Sequence, residues 1–309
     1  MESISMVAAI DFGTTHIGYA FSNYKDCSKI FTIQIDGTKE RVTNTVLLNP
    51  NDVVEFLGDK ARENYIKLVE KGQHLTWHLF EGYKTTLHTT HKLTRDLHID
   101  DVRGESKPAL LVFSEAIKYL KSNAEKCVKE SFKDLQAENV KWVVTVPAMW
   151  SDSAKQFMRE AAECAGISRN HLSLVLEPEA ASLYCIEQPV SNILLQMQMS
   201  KRVEFPQDQK YILADLGGGT ADFGAHQILE DRNIREIHSA VGEISGGRDV
   251  NIAFEKFLRK LCGPEQWIKF TKDCADEYLE LMTDFERKKR EFDCIGDSKH
   301  DDSEDITIR

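Results

Sequence analysis

The chain has 309 residues, a formal net charge of -11, 41% hydrophobic residues and 29% charged residues. That length admits two ordinary domains or one large one, with the composition of a globular protein. No apolar run is long enough for a membrane-spanning helix. MESISMVAAIDFG lacks the basic start of a signal peptide, and the acidic balance argues against nonspecific nucleic-acid binding.

The first element in chain order is an apolar strand through VAAIDFG, with GYAFS and IFTIQID as the next two strands of a meander. Residues 40–113 read as a polar insertion with short elements of its own. Ile117, Leu120, Ala124, Cys127, Phe132 and Leu135 recur near helical spacing, which predicts a helix over 114–135 with Ser114 as its N-cap. VKWVVTV (140–146) is a buried-type strand closed by Pro147, and a helix over 152–165 ends at Gly166. A strand at 171–178 and a helix from EAASLYCIEQ complete this half. YILADLG, DFGAHQI and IREIHSAVG then form a second meander, followed by helices over 249–261 and 274–293. The acidic stretch GDSKHDDSED reads as loop or frayed tail.

Cys27, Cys127, Cys164, Cys185, Cys262, Cys274 and Cys294 are odd in number and make no CxxC, the usage of reduced thiols in a cytosolic protein. The pairs His74/His78 and His88/His91 lack the HExxH context of a zinc site and read as ordinary polar residues.

Three consecutive glycines in DLGGGTAD stand between apolar runs, although neither GxxxxGK[ST] nor GxGxxG is present. The stretch has an internal echo: VAAIDFGTTHIGYA (7–20) and ILADLGGGTADFGA (212–225) share strand, Asp, Gly, small residues, strand. Two related half-domains follow from that repeat, the second lacking the later helices and strands of the first. Each hairpin by itself could be an ordinary glycine turn. Together they suit phosphate: Gly13, Gly217, Gly218 and Gly219 let backbone N–H groups approach an anion, and Thr14, Thr15 and Thr220 add hydroxyl donors. Asp11 and Asp215 would repel phosphate directly, so their natural role is to hold hydrated magnesium.

IDFGTTHIGYAFS and LADLGGGTADF resemble the two phosphate motifs of the seventy-kilodalton heat-shock protein family, in the actin and sugar-kinase superfamily. WVVTVPAMWSDSAKQ, LVLEPEAASLY and SAVGEISGGRDVN resemble its intervening and following segments, and FERKKREF is most like the divergent member-12 subgroup. The resemblance covers nearly the whole chain. It implies an α/β actin-like ATPase (ribonuclease H-like) fold with two lobes, each on a five-stranded mixed sheet. Residues 1–190 would form the first lobe and 191–309 an incomplete second lobe.

It also implies ATP or ADP with Mg²⁺ as ligands, and the following roles. Asp11 and Asp215 would serve the metal and catalysis, joined by Thr220 and by Glu177, which orders the attacking water. Gly13, Thr14, Thr15, Gly217, Gly218, Gly219 and Asp222 would hold phosphates, with Gly246 and Gly247 shaping the approach to ribose. Glu286, Lys289 and Arg290 would clamp adenosine, with Asp293 one turn on. The family's catalytic lysine corresponds to Lys84 in FEGYKTT, displaced by one position; the alternative is a surface lysine of the insertion. Pro147 matches a relay proline, Lys155 replaces its usual arginine, and Glu179 adds a carboxylate where threonine is common.

The expected function is that of a cytoplasmic, ATP-binding chaperone-type stress-response protein that hydrolyses ATP in its intact form. The alternatives are a nucleotide-sensing pseudo-ATPase and a small-molecule kinase of the same superfamily. Clients and co-chaperones would engage a C-terminal region beyond this sequence. The family's third nucleotide wall also falls beyond residue 309, so YILADLG is expected to show an open edge and an uncovered apolar face.

Overall fold

A computed structural model describes residues 4–26, 29–32, 34–35, 39–89, 93–131, 139–187, 206–230 and 233–291. The chain divides into two compact units, Met1–Gly246 and Gly247–Arg309.

In the first unit, β1 (Met6–Phe12) buries Met6, Ala8, Ile10 and Phe12 on one face and turns Val7, Ala9 and Asp11 to the other. It runs antiparallel to β2 (His16–Asn23), whose outer side carries β3 (Ile30–Thr32) and β4 (Arg41–Thr43). Residues 41–43, at the start of the expected insertion, therefore extend the main sheet. A small antiparallel sheet follows: β5 (Thr45–Leu48) lies between β6 (Val54–Leu57) and β7 (His78–Glu81). Helix α1 (Asp59–Glu70) connects two of its strands. After the single turn α2 (Thr86–Thr89) comes a short hairpin, β8 (His98–Asp100) with β9 (Ser106–Pro108).

Helix α3 spans Ala109–Ser131. It starts before the expected 114, directly after Pro108, the last residue of β9. Ser114 is thus inside the helix, its hydroxyl donating to the Leu111 carbonyl (3.0 Å), and does not cap it. Phe132 and Leu135 lie outside the described residues. Strand β10 (Val140–Val146) pairs in parallel with β1, and β11 (Leu172–Leu176) with β10. Between them runs α4 (Asp152–Cys164), capped by Ser151 accepting from Ala154 N–H and closed at Gly166, whose φ of +82° is left-handed. Phe113 of α3 stacks on Phe12 (5.7 Å) and meets Phe157 of α4 edge-on (5.3 Å), so both helices seal the buried face of β1. On the other face, Ala9 and Asp11 line a cavity together with Ala180 and Ala181 of α5 (Glu177–Glu187).

A three-stranded meander completes this unit: β12 (Lys210–Leu216), β13 (Ala221–Ile228) and β14 (Ile234–Glu243). The sequence echo is repeated in the pairing, with Asp11 opposite Gly18 in one hairpin and Asp215 opposite Asp222 in the other. As expected for YILADLG, β12 has one described neighbour, β13, and Ile212 and Leu216 are 75% and 71% exposed.

The second unit contains α6 (Gly247–Cys262), α7 (Pro264–Asp273) and α8 (Ala275–Glu291). Phe254 stacks on Phe285 at 3.9 Å. Helix α7 had no counterpart in the periodicity reading, yet its start has a plain signal: Gly263 with φ +91°, then Pro264 in the first turn. Asp293 and GDSKHDDSED lie outside the described residues.

Candidate functional site

The two echoed loops touch and together line one cavity of about 560 Å³. A Cβ on Gly219 would lie 2.5 Å from Thr14 Cγ2, and one on Gly218 would overlap the Thr15 side chain. One on Gly246 would fall 2.5 Å from the Gly218 carbonyl carbon. Glycine is required at these positions by close approach, with φ playing no part. The second loop is closed by Gly217 N–H donating to the Thr220 carbonyl (2.8 Å). The first is tied to Asn44, which bonds the carbonyls of Gly13 and Thr15.

Carboxylates collect beside these loops. Asp11 accepts from Thr145 Oγ1 (3.1 Å) and from Arg41 Nη2 (2.9 Å). Burial raises the pKa of Asp215, and the charges of Asp222 and Asp11 raise it further against the opposing pull of Arg41 and Lys84. Asp222 is likewise raised, first by burial and then by Glu177, although Thr220 donates to it. Its Oδ1 is buried without a hydrogen-bond partner among the described residues. Asp222 is not among the residues lining the cavity, and its Oδ1 lies beside Gly242; the repulsion among Asp11, Asp215 and Glu177 at the cavity itself is what a bound cation relieves.

Glu177 begins α5, and Lys84 Nζ donates to its Oε1 at 2.7 Å. Lys84 is 1% exposed, so the surface-lysine alternative does not hold. Its placement follows from the local chain. Gly82, at φ +58°, turns the backbone after β7, and Tyr83 buries its ring edge-on to Phe113 (4.9 Å), which leaves Lys84 facing the cavity wall. The ammonium also lies 5.1 Å from the centroid of Trp150, whose indole N–H donates to His88. Burial, then the Lys84 charge, pushes the His88 pKa down to about 4. Burial likewise raises Glu177, with Asp11 and Asp215 adding to the shift and Lys84 opposing it.

Thus Asp11, Gly13, Thr14, Thr15, Glu177, Asp215, Gly217, Gly218, Gly219 and Thr220 line a single cavity, with Lys84 reaching it through Glu177. Glu179 is not among the lining residues. Gly247, Glu286, Lys289 and Arg290 belong to the second unit and gather there. Lys289 Nζ donates to the Gly247 carbonyl (2.9 Å), and Glu286 accepts from Lys289 (2.5 Å), Arg290 (2.7 Å) and Asn251 (2.9 Å). Among the described residues no group of three or more His, Cys, Asp or Glu side chains could itself hold a metal. His78 pairs with Asp101 (2.8 Å), and the described cysteines Cys127, Cys164, Cys185, Cys262 and Cys274 are free thiols. His91, Cys27 and Cys294 lie outside the described residues.

Arg41, Asn44, Thr145 and Trp150 escaped the sequence reading, which took His88 for an ordinary polar residue. Only Thr145 had a usable signal, as the hydroxyl residue within the apolar run of WVVTV. The others reach the site through long-range packing.

The family model described as Hsp70 protein matches residues 83–299. Among curated proteins, the chain is 32% identical to mouse heat shock 70 kDa protein 12A, covering 94% of the chain and 50% of that protein. It is 32% identical to human heat shock 70 kDa protein 12B, covering 93% and 49%. It is 28% identical to a chaperone protein HscA homolog of Rickettsia prowazekii, covering 83% and 38%. The chain therefore spans about half the length, or less, of the curated relatives it matches.

Proposed function

Because the chain belongs to the Hsp70 protein family, with relatives of the 12A/12B type, we propose that its paired hairpins bind the phosphates of ATP or ADP with magnesium and that the intact protein hydrolyses ATP. The observation that carries this reading is the contact of Gly218 and Gly219 with Thr15 and Thr14, beside carboxylates whose charges repel one another. Actin-like two-lobed architecture accompanies the family assignment, with residues 1–190 proposed as the first lobe.

The residues present suit the ligands. Backbone N–H groups of residues 13–15 and 218–220 would donate to phosphate oxygens, the Gly217 N–H being spent on the Thr220 carbonyl, and Thr14, Thr15 and Thr220 add hydroxyl donors. Asp11 and Asp215 would hold magnesium through its water shell, while Asp222 adds negative charge behind them. Magnesium, when bound, offsets the charge of the phosphate oxygens. Glu177 would orient the attacking water, and Lys84 fixes Glu177 while adding positive charge at the reacting phosphate. Gly246 and Gly247 would serve ribose, and Glu286, Lys289 and Arg290 adenosine. Chaperone work on client proteins is proposed for the whole protein on the strength of its relatives.

Phosphate release from ATP by wild type is expected to exceed that of Asp11→Asn and Asp215→Asn by at least about a hundredfold, the range for loss of a group stabilising the transition state. Equal background rates in all three would exclude hydrolysis by this chain. A calorimetric titration with ATP and Mg²⁺ would then decide whether binding survives. That outcome would favour a nucleotide sensor, a reading to which the Arg41 guanidinium on Asp11 lends support.

A further inference from the structure

Asn44 stands outside the motifs, at the start of β5, and is 2% exposed. Its backbone N–H and both ends of its side-chain amide are all used. Its backbone N–H donates to the Thr15 carbonyl (2.8 Å), its side-chain amide N–H to the Gly13 carbonyl (2.7 Å), and its Oδ1 accepts from the Tyr83 hydroxyl (2.7 Å). A trans peptide sets C=O and the following N–H on opposite sides. Drawing the Gly13 carbonyl towards Asn44 therefore turns the Thr14 N–H away from it. Tyr83 is buried and its ring is wedged between Phe12 (6.4 Å) and Phe113 (4.9 Å). The next residue is Lys84, whose ammonium bonds Glu177. One buried hydrogen-bond chain thus runs from the first phosphate loop, through Asn44 and Tyr83, to the turn that carries Lys84.

We propose that Asn44 is a positioning residue that sets the 13–15 loop for phosphate, and that Tyr83 holds Asn44 so that loop and Lys84 keep one register. The proposal rests on the nucleotide reading of the cavity. The side-chain amide supplies a donor to the loop and an acceptor to Tyr83 from two separate atoms at once, and truncation to alanine removes both. A buried loop carbonyl left without its donor would rotate towards other partners and disorder the anion nest.

Calorimetric titration of the full 309-residue chain with ATP, and separately with AMP, both with Mg²⁺, tests it, alongside a thermal melt of each variant. Asn44→Ala is expected to weaken ATP binding about tenfold and AMP binding less than about twofold, because the proposal assigns the 13–15 loop to phosphates that AMP lacks. Tyr83→Phe, which keeps the ring, is expected to weaken ATP about threefold with the same selectivity. Wild-type ATP binding unchanged in both variants would overturn the positioning role while leaving the nucleotide reading intact. So would equal loss of ATP and AMP, the mark of general loosening. If Asn44→Ala does not fold, Tyr83→Phe decides by the same two measures. A wild type that binds neither nucleotide would remove the reading and the inference together.

Discussion

Lys84 Nζ and Glu177 Oε1 stand 2.7 Å apart although 93 positions separate them in the chain. The lysine hangs from a left-handed turn after β7 and the glutamate from the first residue of α5. Their meeting joins the insertion to the main sheet and places one positive charge among Asp11, Glu177, Asp215 and Asp222.

Removing the lysine is therefore costly. Lys84→Met leaves a buried carboxylate unpaired and is expected to lower stability by about 3 kcal/mol, measured by urea unfolding. Adding Glu177→Gln removes the orphaned charge and is expected to restore most of the loss. A double variant no more stable than Lys84→Met would show that the pair is not the source.

His88 contributes to the pH dependence of stability on the acid side, against the opposite effect of the raised carboxylates Glu177, Asp215 and Asp222. Its pKa, lowered to about 4 by burial and by the Lys84 charge, lies below its ordinary 6.5. The unfolded chain takes up the proton first as pH falls, so the contribution is present above about pH 6.5 and is lost progressively towards pH 4. His88→Phe is expected to flatten the melting-temperature profile across that window. A profile parallel to wild type would remove His88 from the account.

The two glycines at the loop contact predict a clash. Gly218→Ala would drive its methyl into Thr15, with an expected cost of about 1–3 kcal/mol in stability and a loss of ATP binding. Thr15→Gly on the same background opens the space and is expected to recover stability more than binding, because it also deletes a hydroxyl donor. Urea melts and calorimetry on the single and double variants separate the two effects.

Arg41 pairs with Asp11 with both side chains partly in solvent, 62% and 44% exposed. Exposed pairs are weak. Arg41→Ala is expected to strengthen the Mg²⁺ dependence of nucleotide binding by no more than about fivefold, by removing a competing cation from Asp11. A tenfold or greater loss of binding would instead make Arg41 a direct phosphate ligand.

The hairpin chemistry was legible in the residues. Alternation in VAAIDF and the glycines of DLGGGT dictate strand–turn–strand locally, and the repeat placed Asp11 and Asp215 in equivalent positions. Pattern reading faltered at the starts of helices. Helix α3 begins at Ala109, directly after β9 and before the place the periodicity gives it, and α7, which follows Gly263–Pro264, has no counterpart in the periodicity.

What the sequence determined by itself was thus each hairpin, its glycines and its acidic residue, because those depend on φ, on side-chain period and on short-range sterics. Tertiary structure alone decided that Lys84 is buried on Glu177, that Asn44 ties the first loop to Tyr83, and that Thr14 and Thr15 touch Gly219 and Gly218. Those contacts join segments 31 to 205 positions apart, and long-range packing of Phe12, Tyr83 and Phe113, which no local pattern encodes, brings the first two of them into place.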